Sequence, residues 1–326
     1  MPFPGNIYLL SFVGALLASA ISLPLWQRAC WRWGLVDDPG HRKIHHQPMP
    51  LAGGLAVLTA VLVPLALALA VAPESWLDSE GAAKLDHGLA VRGLRLAVIM
   101  AGAAAMTALG LADDRFELRP ALKFAGQFIV ASAVALAGVR ITLFVPSAVF
   151  SYAVTVLWIL TLINAFNFMD NMNGLCAGVG AISATFFGIA AARSDHYLVA
   201  SMAFLVAGAL AGFLPWNFPR ARAFLGDSGS HLTGYLLAVL AILPHFYSAR
   251  HPHRLAVLSP LLVLAVPLAD LAWVVAWRTL AGRPFYIGDT NHLSHRLVRR
   301  GLSPAKAVGL IWLIAAALGA LGLALN

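Results

Sequence analysis

Long apolar runs alternate with short polar segments along almost the whole chain. About ten of them meet or approach the roughly 20 mostly apolar residues that carry a helix across a bilayer. They fall near 7–26, 51–72, 94–112, 121–138, 147–163, 174–192, 196–214, 228–243, 255–276 and 305–325. The run at 228–243 is short, and the one at 121–138 is the weakest of the set. Inside a bilayer every backbone N–H and C=O needs an internal partner, so these runs predict α-helices and not strands. Arg28 and Arg32 follow the first run and no positive charge precedes it, the reverse of a secretory signal, so it is expected to stay as a span. No Ser/Gly linker, repeat or tail interrupts the pattern, and a single all-α transmembrane domain over 1–326 is expected.

Composition supports that reading. Hydrophobic residues make up 60% of the 326 and charged residues only 11%, where a soluble domain carries about 25%. The net charge of +8 would suggest nucleic acid in a soluble protein, but in a membrane protein it first reports orientation. With the polar segments assigned alternately to two sides, fifteen of the 22 Lys and Arg fall on one of them. The positive-inside rule makes that side cytoplasmic and puts both termini outside. Nucleic acid is not an expected partner. Cys30 and Cys176 have no metal-ligand spacing and imply no disulfide framework.

The acids sort in the same way. Asp37, Asp38, Asp113, Asp114, Glu117, Asp170, Asp227 and Asp289 gather on the basic side, whereas Asp270 falls within the ninth run. Asp113-Asp114 ends the third run, where two carboxylates oppose a helix dipole and call for a cation or a proton. Asn164, Asn167 and Asp170 or Asn171 share a helix face at the end of the fifth run, with donors and acceptors suited to a base or ribose. Asp227 and Ser228 are good caps for the eighth run, whose free amides suit a phosphate. His292, His295, Arg296 and Arg299 would form one helical stripe able to hold a diphosphate. Asp270 is expected to pair with an arginine such as Arg278. The Pro/Gly-rich first loop, Asp38 to Gly54, is expected to be fixed, its bases reaching either phosphate or acidic headgroups.

These segments, in this order, resemble the polyprenyl-phosphate N-acetylhexosamine-1-phosphate transferase family of glycosyltransferase 4 type, in its undecaprenyl-phosphate GlcNAc-1-phosphate branch. The phospho-MurNAc-pentapeptide translocase is a relative. The resemblance runs from Asp38 to Arg300 through the first loop (Asp38, Arg42, Lys43, His45, Gly53, Gly54), the pair Asp113-Asp114, the N-x-x-N-x-x-D pattern of Asn164, Asn167 and Asp170, and the F-x-G-D of Phe224 to Asp227. It departs from the family at Asn171, where Gly is usual, at Asn173, which replaces an acid, and at Ser294, which replaces a histidine.

The resemblance implies a bacterial inner-membrane, multi-pass enzyme working at the cytoplasmic face. Its partners would be a UDP-sugar, polyprenyl phosphate and membrane lipids, with a homodimer as a candidate assembly. Mg²⁺ would be the cofactor, with Mn²⁺ able to replace it. Asp227 and Asp114 would hold the metal, and Asp113, Asp114, Asp170, His292 and His295 would carry the chemistry, Asp113 being the candidate base. Lys43, His45, Asn164, Asn167, Asn173, Asn217, Phe224 and Arg296 would bind substrate, with Phe224 and Asn217 at the uracil. The alternatives are the pentapeptide-type transferase, a transporter, an intramembrane aspartyl protease and a non-catalytic lipid-phosphate binder. A transporter would place its charges near the bilayer midplane, where only Asp270 qualifies.

Overall fold

The computed structural model describes residues 3–38, 47–70, 79–142, 145–244, 254–284 and 286–325. Lys43 and His45 lie outside them. The described residues form helices α1 (Gly5–Trp33), α2 (Gly53–Ala70), α3 (Ser79–Phe116), α4 (Pro120–Leu136), α5 (Ala148–Met169), α6 (Leu175–Arg193), α7 (Tyr197–Asn217), α8 (Gly226–Leu240), α9 (Ser259–Val263), α10 (Ala265–Leu280), α11 (Leu293–Arg299) and α12 (Pro304–Ala324). A 3₁₀ turn at Arg254–Leu258 precedes α9. The only strands among them are the two-residue β1 (Val36–Asp37) and β2 (Met49–Pro50), paired antiparallel. The chain is an all-α, multi-pass membrane protein.

Seven helices, α1, α2, α3, α5, α6, α7 and α12, are long and apolar enough to cross a membrane. The ninth run is not one straight helix: Leu255–Val263 and Ala265–Leu280 meet at a bend of 72°. The fourth and eighth runs become helices of 17 and 15 residues. At 1.5 Å per residue α8 spans only about 22 Å, against about 30 Å of hydrocarbon. The reason lies in its surroundings. Every α8 residue except Asp227 is buried, because α2, α3, α5 and α6 wrap it. Protein surrounds α8, so lipid thickness does not set its length.

Small residues permit that enclosure. A Cβ on Gly110 of α3 would stand 2.3 Å from Ser228 Cα, and one on Gly54 of α2 would stand 2.5 Å from Gly229 N. The two helices therefore pack backbone to backbone against the start of α8, as small-residue contacts allow in membranes. The β1–β2 ribbon extends the same anchorage. Phe224 N donates to Pro50 O at 3.0 Å, and Gly53 N and Gly54 N donate to Phe224 O and Leu225 O at 3.0 Å. The first loop is thus fastened at its base beside the start of α8.

Gly110→Ala is expected to destabilise the protein by about 1–3 kcal/mol through overpacking. Gly309→Ala, on α12 with nothing within 4 Å, is the matched control and should not destabilise. Thermal unfolding in detergent reads the difference; equal melting temperatures would contradict the close approach.

Candidate active site

Asp113 and Asp114 end α3, and their roles divide. Asp114 Oδ1 accepts from Asp227 N at 2.8 Å and Oδ2 from Ser228 N at 3.1 Å. Those are among the unpaired amides at the start of α8, and the carboxylate meets the positive end of that helix. α8 has no side-chain cap of its own, and Gly226 takes a left-handed φ of 74° to begin it. Two sequence expectations change here. These first amides are not free for a phosphate, and neither Asp227 nor Ser228 is the cap. Asp114, expected on the metal, has both oxygens on backbone amides.

Asp113 faces the other way. Glu117, at a left-handed φ of 48°, closes α3. The chain turns back so that Leu118 N donates to Asp113 Oδ1 at 2.9 Å. Pro120 then opens α4, the usual place for proline in a helix. The first turn of α4 carries Lys123, whose Nζ pairs with Asp113 Oδ2 and, at 2.9 Å, with Asp227 Oδ2. It also reaches Asn167 Oδ1 at 3.4 Å. Asn167 Nδ2 in turn donates to Asp227 Oδ1 at 2.7 Å and to Ser230 Oγ at 3.0 Å. Asp227 is therefore held on both oxygens, by a lysine from α4 and an amide from α5.

One turn beyond Asp227 on α8 is His231, fully buried. Its Nε2 lies 3.4 Å from Gln127 Nε2, and Gln127 Oε1 accepts from Asn164 Nδ2 at 2.9 Å. Among the described residues His231 Nδ1 has no hydrogen-bond partner. One ligand atom each from Asp113, Asp227 and His231 lie within 4.8 Å of one another. Asn164, expected at substrate, instead ties α5 to α4. Lys123, Gln127 and His231 were not among the site residues expected from sequence. Their signal was the i, i+4 spacing of Lys123–Gln127 and of Asp227–His231 within apolar runs.

Asp170, just past α5, belongs to the same electrostatic neighbourhood. Its carboxylate takes no hydrogen bond among the described residues. Burial, followed by repulsion from Asp227 and Asp114, pushes its pKa up to about 8. Its neighbour Asn171 accepts from Ser294 Oγ at 2.6 Å, so two of the departures from the family pattern touch each other.

Asn217 is a fold clip and not an open uracil contact. Its Oδ1 accepts from Gly174 N and its Nδ2 donates to Ala223 O at 2.9 Å, with the side chain buried. Asn173 Nδ2 makes a long 3.4 Å bond to Pro219 O. Phe224 is half-buried, its backbone joined to the first loop.

The histidine segment fastens to α10. Asp270 pairs with His292, not with Arg278: Nδ1 and Oδ2 are 2.7 Å apart. Arg278 takes Asp289 at 3.2 Å and lies 5.0 Å over the Phe168 ring. The expected four-residue stripe does not form, because α11 begins at Leu293 and His292 stands before it in an extended conformation. Arg299 donates to Thr290 O, and Arg296 stacks 4.3 Å over Trp273. The His295 ring is 6.2 Å from that of His292. Burial, then the positive field of His292 and Arg299, lowers its pKa below the usual histidine value. The end of α5 and the turn after it join the two groups: Asn167 reaches the acids, while Phe168 and Asn171 touch the histidine segment.

Comparison with known proteins places the chain in a family. Residues 96–245 match the model of glycosyl transferase family 4, a stretch that holds Asp113, Asp114, Lys123, Asn167, Asp170, Asp227 and His231. A probable undecaprenyl-phosphate N-acetylglucosaminyl 1-phosphate transferase of Bacillus subtilis is 31% identical over 312 residues, covering 93% of this chain and 81% of the relative. A decaprenyl-phosphate N-acetylglucosaminephosphotransferase of Mycolicibacterium smegmatis is 37% identical over 311 residues, 86% of this chain and 73% of the relative. An undecaprenyl-phosphate alpha-N-acetylglucosaminyl 1-phosphate transferase of Yersinia pestis is 28% identical over 302 residues, 89% and 76% of the two chains. With likeness at that level along nearly its whole length, the chain belongs to glycosyl transferase family 4.

Proposed function

We propose that this protein transfers N-acetylglucosamine 1-phosphate from UDP-N-acetylglucosamine to undecaprenyl phosphate, releasing UMP, at the cytoplasmic face of the bacterial inner membrane. The relatives supply the reaction class. The observation that carries the reading is Asp227, half-buried at the start of a buried helix and gripped by Lys123 and Asn167 beside Asp113. The orientation rests on the basic residues at that end of the bundle; Trp31 and Trp33, exposed there, suit a membrane–water interface. With α4, α8 and the bent pair counted as crossings, both termini stand on the opposite face.

The donor set fits a divalent cation. Asp113 and Asp227 offer hard carboxylate oxygens, suited to Mg²⁺ or Mn²⁺, and a ring nitrogen of buried His231 is a third group within reach. Such a cation, when bound, neutralises a diphosphate and its leaving oxygen. The chain's own groups do the rest by position and charge, as phosphoryl transfer requires. An oxygen of the lipid phosphate attacks the sugar-bearing phosphorus; the bond from that phosphorus to the bridging oxygen breaks, and UMP departs with the electron pair. A phosphate monoester has its second pKa near about 6, so the acceptor needs no base, and Asp113 acts by holding Lys123. His295 and Arg296 share the charge that develops on the diphosphate, and His292 stands beside His295.

Three outcomes test the reading. Purified protein given undecaprenyl phosphate, Mg²⁺ and a panel of UDP-sugars should form one lipid-diphosphate-sugar by mass spectrometry, from UDP-N-acetylglucosamine; no product with any donor would refute the activity. Asp227→Asn should cut UMP release by about 100-fold or more with the melting temperature unchanged, and near wild-type release would remove Asp227 from the site.

The third outcome concerns pH. The folded pKa of Asp170 lies near 8, above the usual carboxylate value of about 3.9. Between those limits the folded, cation-free protein holds a proton that the unfolded chain has lost. Its stability therefore falls as pH rises through that window and levels above it. A bound cation expels the proton, so apparent Mn²⁺ affinity should strengthen from pH 6 to 8, with proton release at pH 7 in calorimetry. Affinity independent of pH would contradict the shared neighbourhood.

A further inference from the structure

Asp270 lies within an apolar helix, where a carboxylate is costly and commonly functional, yet the transfer reaction has no direct use for it. Its two oxygens are both occupied. Oδ1 accepts from Leu293 N at 2.7 Å and Oδ2 stands 2.7 Å from His292 Nδ1. Both side chains are only 6% exposed. Two further contacts bind the same segment to α10, the Arg278–Asp289 pair and the stacking of Arg296 on Trp273. The Phe168 ring closes on His292 edge-on, at 6.2 Å and 83°.

We infer that Asp270 is a positioning residue that sets the tautomer of His292. The inference rests on the reading that His292 faces the UDP-sugar. A carboxylate only accepts, so the imidazole donates from Nδ1. Nε2, which makes no hydrogen bond among the described residues, is left as a bare lone pair, able only to accept from a hydroxyl or N–H of the substrate. Leu293 N comes from the backbone and cannot turn away, so it fixes one oxygen and thereby the direction of the other. The fixed partner on one ring nitrogen decides the state of the other, as in metal and hydrolase sites that orient a histidine through a carboxylate.

The geometry dictates what an amide would do instead. In Asp270→Asn the backbone amide of Leu293 still needs an acceptor, so the carbonyl oxygen stays on it. The NH₂ group then faces His292 Nδ1, which must become an acceptor, and the ring proton moves to Nε2. Near-isosteric replacement thus reverses the tautomer with little change of shape.

The test uses the full-length protein in detergent with ¹⁵N-labelled histidine at pH 8, with His292 assigned by its loss in His292→Gln. Wild type should carry the proton on Nδ1 and Asp270→Asn on Nε2. UMP release by Asp270→Asn should fall about 10- to 100-fold, with the donor KM and the melting temperature near wild type. On the His292→Gln background the same change should add no further loss. A wild-type ring protonated on Nε2, full turnover in Asp270→Asn, or additive losses in the double variant would each overturn the assignment. Should Asp270→Asn not fold, the wild-type spectrum decides alone. That spectrum needs no donor, so a protein inactive with every UDP-sugar would defeat the functional reading and leave this test standing.

Discussion

The site depends on how a buried helix begins. α8 is enclosed by protein, and its first amides point into a region where water does not compensate a missing hydrogen bond. Asp114 supplies acceptors for two of them. That contact fixes the end of α3 against the start of α8 and so fixes where Asp113 and Asp227 stand relative to each other. The approach is close enough that Gly110 and Gly54 leave no room for a Cβ. The same few residues therefore carry the packing of three helices and the spacing of the two acids on which the chemistry rests.

Around that contact the charges form a nearly closed set. Lys123 bridges Asp113 and Asp227, Asn167 fills the remaining oxygen of Asp227, and Asp170 avoids charge by holding its proton. Each member is poised to exchange its partner. A lysine that bridges two carboxylates can turn to a phosphate, and a carboxyl kept neutral by burial and by charged neighbours ionises more readily once that neighbouring charge is met. Burial of a lone carboxylate would be costly, and here each of Asp113, Asp114 and Asp227 has a hydrogen-bond or ion-pair partner within the bundle.

The histidine segment follows a separate logic. It is short, with only the seven-residue α11 at its centre, and cannot hold its shape alone. α10 holds it through contacts of alternating sign, acid to histidine and arginine to acid. The 72° bend before α10 brings that helix to the side of α5, where Phe168 lies between Arg278 and His292. One turn of α5 therefore serves both halves of the site.

The sequence by itself determined the all-α membrane class, because 60% hydrophobic residues in long runs admit no other way to satisfy a backbone in lipid. It also marked the acids that gather at one end, and the order of Asp113-Asp114, the Asn164–Asp170 segment and Asp227 was enough to suggest the family. Only tertiary structure decided how those acids divide. Asp113 and Asp114 are adjacent, and nothing in their order says that one caps a distant helix while the other meets a lysine. Asn217 and Asn164 carry the same groups as a ligand-binding amide, and their partners, backbone for one and Gln127 for the other, come from other parts of the chain. Lys123 and His231 sat unnoticed in apolar runs for the same reason: a side chain's role here is set by what other helices bring against it, over separations that local pattern does not encode.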